Sequence, residues 1–179
     1  MRLALAQLNL VIGDFGGAAA AVTQAALQAK AQRADVLLCP EMTAFGGYPP
    51  RDLVERRWLV ERQWAAVVAL ARTLPLPTLI GCIEPISDGS GPMLANAMVL
   101  LDRGTIAHVY RKRLLPTYDV FDERRHFRPG TESPVIEIAG KRIGLTICED
   151  IWTKEFAGIG YEVDPVAELT GRCDVLVNI

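Results

Sequence analysis

The chain has 179 residues, 50% of them hydrophobic and 22% charged, with a net charge of −2, which is one domain's length with enough apolar content for a sizeable core. So small a charge excludes a general electrostatic pull toward nucleic acid or anionic membrane, and no apolar run is long enough to span a bilayer. The four cysteines, Cys39, Cys82, Cys148 and Cys173, form no CxxC pair, which argues against a zinc ribbon or a dithiol redox centre.

The opening MRLALAQLNLVIGDFGG has the apolar look of a secretion signal, but Gln7 and Asn9 interrupt it and Asp14 stands where a small-residue cleavage site belongs. It fits a first strand, Arg2–Leu10, apolar enough to be central in a sheet. Without a leader, the expectation is a cytoplasmic protein with reduced thiols. Gly13–Gly17 is a loop and the alanine-rich Ala18–Arg33 a helix. Asp35–Cys39, DVLLC, is a second buried strand ending at Pro40-Glu41, before the Gly- and Pro-rich loop MTAFGGYPPRDL. Val54–Thr73 has the period of a long amphipathic helix. Strand 77–84 follows, then a turn over Ser87–Pro92, strand 94–101, a tight turn at Asp102-Arg103-Gly104 and the returning strand 105–110. Arg111–Pro129 is charged, aromatic and without period, the kind of long irregular segment that carries function or disorder. Ser133–Ile138 and Lys141–Ile147 form a second hairpin about Ala139-Gly140. A helix is expected from about Ile151, with Gly158 and Gly160 in its first turns, another over Val163–Leu169, and a last strand over Asp174–Asn178. Strands alternating with helices, with hairpins between, predict an α/β chain whose mixed sheet is layered against helices. Neither GxxxxGK[ST] nor GxGxxG occurs, so no nucleotide cradle is expected. The stop inside DVLVNI, in the middle of an apparent core strand, suggests a fragment of a longer protein.

The chemistry gathers around Lys141–Trp152, KRIGLTICEDIW. A buried β-branched strand, read as parallel, runs into Cys148 at a turn, and strand ends are where α/β sheets present chemistry. A helix starting after Cys148 would favour the thiolate through its free N–H groups and dipole. Glu41 lies just past the strand ending at Cys39, and Lys112 two residues past the strand ending at Tyr110. In one open sheet, all three positions converge on one edge. A thiol, a carboxylate and an ammonium form a complete set for amide hydrolysis. The cysteine attacks the carbonyl, the glutamate carries the thiol proton to the leaving ammonia, and the lysine with a neighbouring backbone N–H steadies the oxyanion. Water activated by the same glutamate then resolves the thioester. Taken singly, each residue has a plainer role: a buried core thiol, a helix-capping carboxylate, a solvated basic patch. His108, within a predicted strand, and His126, in a charged loop, sit in no nucleophile motif, so Cys–Glu–Lys is more economical than Cys–His.

Pro40-Glu41, Tyr110-Arg111-Lys112 with Leu115-Pro116, and Cys148-Glu149-Asp150-Ile151-Trp152 resemble, in order, the three signature segments of the nitrilase, or carbon–nitrogen hydrolase, superfamily. Tyr48–Leu53, Asn96-Ala97 before Val99-Leu100, and the run Leu115–Arg125 with Phe127 and Pro129-Gly130 narrow the resemblance to one branch, the N-terminal glutaminase domains of glutamine-dependent NAD(+) synthetases. The resemblance implies a nitrilase-like α-β-β-α sandwich with mixed sheets, incomplete at the C-terminus, so that residues 1–179 form a partial glutaminase domain and the synthetase domain is absent from this chain. It implies Glu41 as general base, Lys112 as transition-state stabiliser and Cys148 as nucleophile. Tyr118, Glu123 and Tyr48 would bind substrate, Tyr48 at the pocket mouth, while Glu123 would hold the α-ammonium of glutamine or orient Lys112. The ammonia would supply ATP-dependent amidation of deamido-NAD in a C-terminal synthetase domain, which would bring ATP, Mg and deamido-NAD. The chain itself is expected to take no cofactor and no metal, to bind neither nucleic acid nor membrane, and to form a homo-oligomer.

Two features depart from the family pattern. The spacing from Glu41 to Tyr48 is one residue longer than usual, and the extra residue falls in Phe45-Gly46-Gly47, where two glycines could absorb a bulge. Position 114 is Leu where the family often has His. Two other functions fit the same residues: a free-standing amidase for another small amide, against which Leu115–Gly130 speaks, and an inactive, truncated interaction module whose exposed sheet edge would favour association.

Overall fold

The side chains of the strands alternate between two apolar environments, and this builds the layers. The structure, a computed structural model, describes residues 1–49, 51–87, 92–152 and 160–179. Strands β1 (Leu3–Leu5), β2 (Val36–Leu38), β3 (Thr78–Pro85), β4 (Leu94–Asp102) and β5 (Thr105–Arg111) form one sheet in that order. The first three are parallel, and β4 is antiparallel to both β3 and β5. A second sheet holds β6 (Val135–Ile138), β7 (Lys141–Thr146) and β8 (Val175–Asn178), with β7 antiparallel to β6 and parallel to β8.

On one face of the first sheet, Leu37, Cys39, Ile80, Cys82, Ala97 and Val99 pack against Val22, Ala26, Val67 and Leu70 of helices α1 (Phe15–Ala31) and α3 (Arg57–Ala71). On the other face, Val36, Leu38, Leu79, Met98, Leu100 and Tyr110 meet Ile143, Leu145, Ile147 and Val177 of the second sheet. Burial on both faces is why β2 and β3 are almost continuously apolar. Helix α5 (Pro165–Leu169) packs on the far side of β7, completing an α-β-β-α arrangement of two mixed sheets. Both expected hairpin turns are present. Arg103 and Gly104 (φ 48 and 83) and Ala139 and Gly140 (φ 51 and 70) are left-handed, the pairing that matches strand twist in two-residue turns.

Several boundaries differ from expectation. The first strand pairs over three residues only and lies at the sheet's edge, not its centre, with Leu5 largely exposed. Helix α1 starts earlier, at Phe15, because the Asp14 carboxylate accepts from Gly17 N at 2.9 Å and caps a first turn that contains two glycines. Val54 ends a separate short helix, α2 (Arg51–Val54), so α3 begins later than expected. Within the segment after β5 there is one short helix, α4 (Glu123–His126). The strand leading to Cys148 is mixed in its pairing rather than purely parallel. After it comes a single 3-10 turn, Cys148–Ile151. The helix expected beyond it falls on residues 153–159, and part of the turn over Ser87–Pro92 on residues 88–91; these lie outside the described residues, as does Pro50. Among the described residues no helix is long and apolar enough to cross a membrane, and no cluster of three His, Cys, Asp or Glu could hold a metal ion.

Candidate active site

Glu41, Lys112 and Cys148 meet in the layer between the sheets, drawn from both sheets rather than from one edge of a single sheet. Two successive antiparallel pairings, β3 with β4 and β4 with β5, bring β5 back to the direction of β2 and β3. The segments after β2 and β5 therefore leave the same edge of the first sheet. Cys148 comes to that edge from β7 of the facing sheet.

Strands β2 and β5 are separated by β3 and β4, too far for a direct contact between residues in register. Gly81 on β3 removes the gap. A Cβ there would lie 2.5 Å from Met42 N, 2.6 Å from Pro40 O and 2.7 Å from the Glu41 Cα. The bare glycine lets the 40–42 backbone cross over β3 and carry Glu41 inward. Asn96, on β4 between the two, then reaches it: its Nδ2 donates to Glu41 Oε1 at 2.7 Å and lies 3.4 Å from Glu123 Oε2. Lys112 N donates to Asn96 O, and Gly130 N to Lys112 O, both at 2.8 Å, which fixes the lysine backbone.

The Lys112 ammonium is fully buried and bridges Glu41 Oε1 at 2.9 Å and Glu123 Oε1 at 2.8 Å. Burial pulls its pKa down, but the charges of Glu41, Glu123 and Cys148 outweigh this and hold it above the ordinary lysine value. Burial raises Glu123 above the usual carboxylate range, with Lys112 pulling the other way and Glu41 adding to the rise. Of the two partners considered for Glu123, Lys112 is the one its carboxylate contacts in the structure.

Cys148 is half-buried, and its backbone is left-handed at φ 44. Its N–H donates to Ile179 O at 2.7 Å. Burial pushes the thiol up to about 11; Lys112 pulls down, while Glu41, Glu123 and Glu149 push up. At neutral pH Cys148 is therefore a thiol. Among the described residues only one 3-10 turn directly follows Cys148, and so short a turn aligns few peptide dipoles toward the thiol.

Glu149 was no candidate from its residue type alone, yet it lies beside the thiol and is 3% exposed. The Tyr118 hydroxyl donates to its two oxygens at 3.0 and 3.1 Å, and the Tyr161 hydroxyl to Oε1 at 2.7 Å. Tyr48 is 44% exposed; its phenol is raised by burial and by Glu123, Glu41 and Cys148, which places it near all three. It lines a cleft of about 380 Å³ with Ile12, Pro49, Val54 and Val120. The two glycines of the lengthened loop are both left-handed, Gly46 at φ 91 and Gly47 at φ 125. Their N–H groups return to Thr43 O and Met42 O at 3.0 and 3.1 Å, so the loop closes on itself before Tyr48. Asn96, Gly81, Glu149 and Tyr161 are the contributors that residue type did not announce. Two of them lie in the motif segments, Asn96 before Ala97 and Glu149 directly after Cys148; Gly81 and Tyr161 carried no such signal.

The chain is 40% identical over 185 aligned positions to a glutamine-dependent NAD(+) synthetase from Synechocystis sp., covering 99% of this chain and 33% of that protein. Among solved structures, the glutamine-dependent NAD+ synthetase from Acinetobacter baumannii in complex with ADP superposes with a TM-score of 0.83 at 31% identity, over 98% of this chain and 32% of that one. An amidase mutant from Nesterenkonia sp. AN1, with acrylamide added at its active-site cysteine, superposes with a TM-score of 0.72 at 26% identity, over 87% of this chain and 60% of that one. The chain thus spans about a third of the length of the synthetases it resembles. The family model described as carbon-nitrogen hydrolase matches residues 2–162, nearly the whole chain, and the chain belongs to that family.

Proposed function

We propose that this chain hydrolyses the side-chain amide of glutamine, with Cys148 as nucleophile, Glu41 as general base and Lys112 as the electrostatic partner of the oxyanion. We further propose that in a full-length protein the ammonia passes to a C-terminal synthetase domain, where ATP and Mg drive amidation of deamido-NAD. The observation that carries the reading is the buried Lys112 ammonium, clamped between Glu41 and Glu123 beside the Cys148 turn.

A thiol raised to about 11 is protonated at neutral pH and needs a base at the moment of attack. Lys112 and Asn96 both occupy Glu41 Oε1, so proton transfer falls to Oε2. The thiol proton moves to Glu41 as sulfur bonds to the amide carbon, and the same proton goes to the departing ammonia as the C–N bond breaks. Water then attacks the thioester as Glu41 takes its proton, the C–S bond breaks to release glutamate, and Glu41 returns the proton to the sulfur. Because the Cys148 N–H is engaged by Ile179 O, the oxyanion donors left are the Lys112 ammonium and the next N–H along, that of Glu149.

The site carries more carboxylates than cations, which suits a substrate that brings its own ammonium. Glu123 is committed to Lys112. That leaves Glu149, adjacent to the nucleophile and steadied by Tyr118 and Tyr161, to take the α-ammonium of glutamine, with Tyr48 at the cleft mouth. On the same reading the protein works in the cytoplasm as a homo-oligomer.

The test is ammonia release from glutamine and from a panel of other small amides, with a Cys148→Ala control. Preference for glutamine and a fall of at least about 10³-fold in the variant is the expected result. Release from simple amides but not glutamine would shift the assignment to a free-standing amidase, and release that survives Cys148→Ala would sink the triad.

A further inference from the structure

We infer that Asp150 is a positioning residue that sets the distance between Lys112 and Cys148 by tying the ends of the two sheets to one carboxylate. The inference rests on the catalytic roles proposed above for those two residues. Asp150 is 1% exposed and divides its two oxygens between the two catalytic segments. Oδ1 accepts from Arg113 N at 3.0 Å and Leu114 N at 2.8 Å, the first two peptides after Lys112. Oδ2 accepts from Ile147 N at 2.9 Å, the residue before Cys148, and from the Tyr110 hydroxyl at 2.5 Å, near the end of β5.

Burial pushes the Asp150 carboxyl up, and the four donors pull it back, so each donor supports the charged form. An acceptor with no hydrogen of its own is what such a cluster requires. Asparagine keeps the volume but turns an NH₂ group either on Arg113 N and Leu114 N or on Ile147 N, and those backbone donors lose their acceptor to a donor–donor repulsion, whereas the Tyr110 hydroxyl can rotate to accept. Whichever way the amide turns, either the Lys112 segment or the Cys148 segment is released. The arrangement is braced from outside by Arg113, whose guanidinium donates to Ser133 and to Glu168 of α5.

The experiment compares Asp150→Asn and Tyr110→Phe with the unaltered protein in two assays: glutamine kinetics, and alkylation of Cys148 by iodoacetamide as a function of pH. The second needs no substrate. The groups facing the thiol are Lys112, Glu41, Glu123 and Glu149 as charges, with the Tyr48 and Tyr118 phenols nearby. Alkylation of the unaltered protein climbs with pH toward about 11. In Asp150→Asn, kcat falls about 10²-fold with KM nearly unchanged, as a displacement near 1 Å would produce. The alkylation curve moves to higher pH by about one unit, because the downward pull of Lys112 on the thiol weakens. Tyr110→Phe, which removes one bond of four, moves both readouts the same way by less; it decides the question if Asp150→Asn does not fold. An unshifted alkylation curve with unchanged kcat in either folded variant overturns the inference. A shifted curve in a protein that releases no ammonia from glutamine supports the positioning role and refutes the glutamine assignment instead.

Discussion

Cys148 is held at φ 44, where an L-residue with a side chain is strained and glycine is not. The strain turns the chain sharply out of β7, so that the thiol faces the gap between the sheets while Ile147 stays in the core. A comparison of two inactive variants measures it. Cys148→Gly should be more stable than Cys148→Ala by about 1 kcal/mol in urea unfolding, the reverse of the usual order for these residues within regular structure. Equal stabilities would mean the turn relaxes when the thiol is removed. At this scale Glu41, Lys112 and Cys148 were legible, because a reactive side chain just past an apolar strand is a local pattern. The ionisation of Cys148 was not, since it depends on the sum of burial, one ammonium and three carboxylates brought from distant parts of the chain.

The elements deliver these residues through their ends, and Gly81 shows how much depends on what lies beneath an end. Its Cβ position is occupied by the Pro40–Met42 backbone. Gly81→Ala should therefore lift Glu41 away from Asn96 and Lys112. The expected result is a loss of about 1–3 kcal/mol in stability, together with a tenfold or greater loss of kcat on glutamine, about the scale set by sub-ångström misplacement. A stable but fully active variant would show that the crossing can shift without moving the carboxylate. Nothing in TLIGCIE marks this glycine, because a close approach between separate segments leaves no local period. For the same reason Glu123 could be assigned two roles from sequence; the 2.8 Å contact with Lys112 depends on where α4 docks.

The whole molecule matters because the candidate site spans two sheets that meet across an apolar interface, with the Asp150 hydrogen bonds at its end. Leu145 lies fully buried in that interface, three residues before Cys148. Leu145→Ala should cost about 3 kcal/mol in unfolding free energy, whereas truncating the exposed Trp58 on α3 should cost under about 0.5 kcal/mol. If both cost the same, the interface between the sheets is not what holds the site together. The sequence by itself determined most of the strand and helix order and both hairpin turns through hydrophobic period and turn chemistry, and, through contiguous motifs that resemble one family, the α-β-β-α class and the family; all of these are properties of neighbours in the chain. Tertiary structure alone decided that the site lies between two sheets rather than along one edge. It also decided that the first strand is an edge strand, that Glu123 pairs with Lys112, that Asn96 reaches Glu41, and where Glu149 and Asp150 find their hydrogen-bond partners. Those outcomes depend on strand direction after reversals, on which faces bury against each other, and on distances between residues far apart in sequence, which no local pattern encodes.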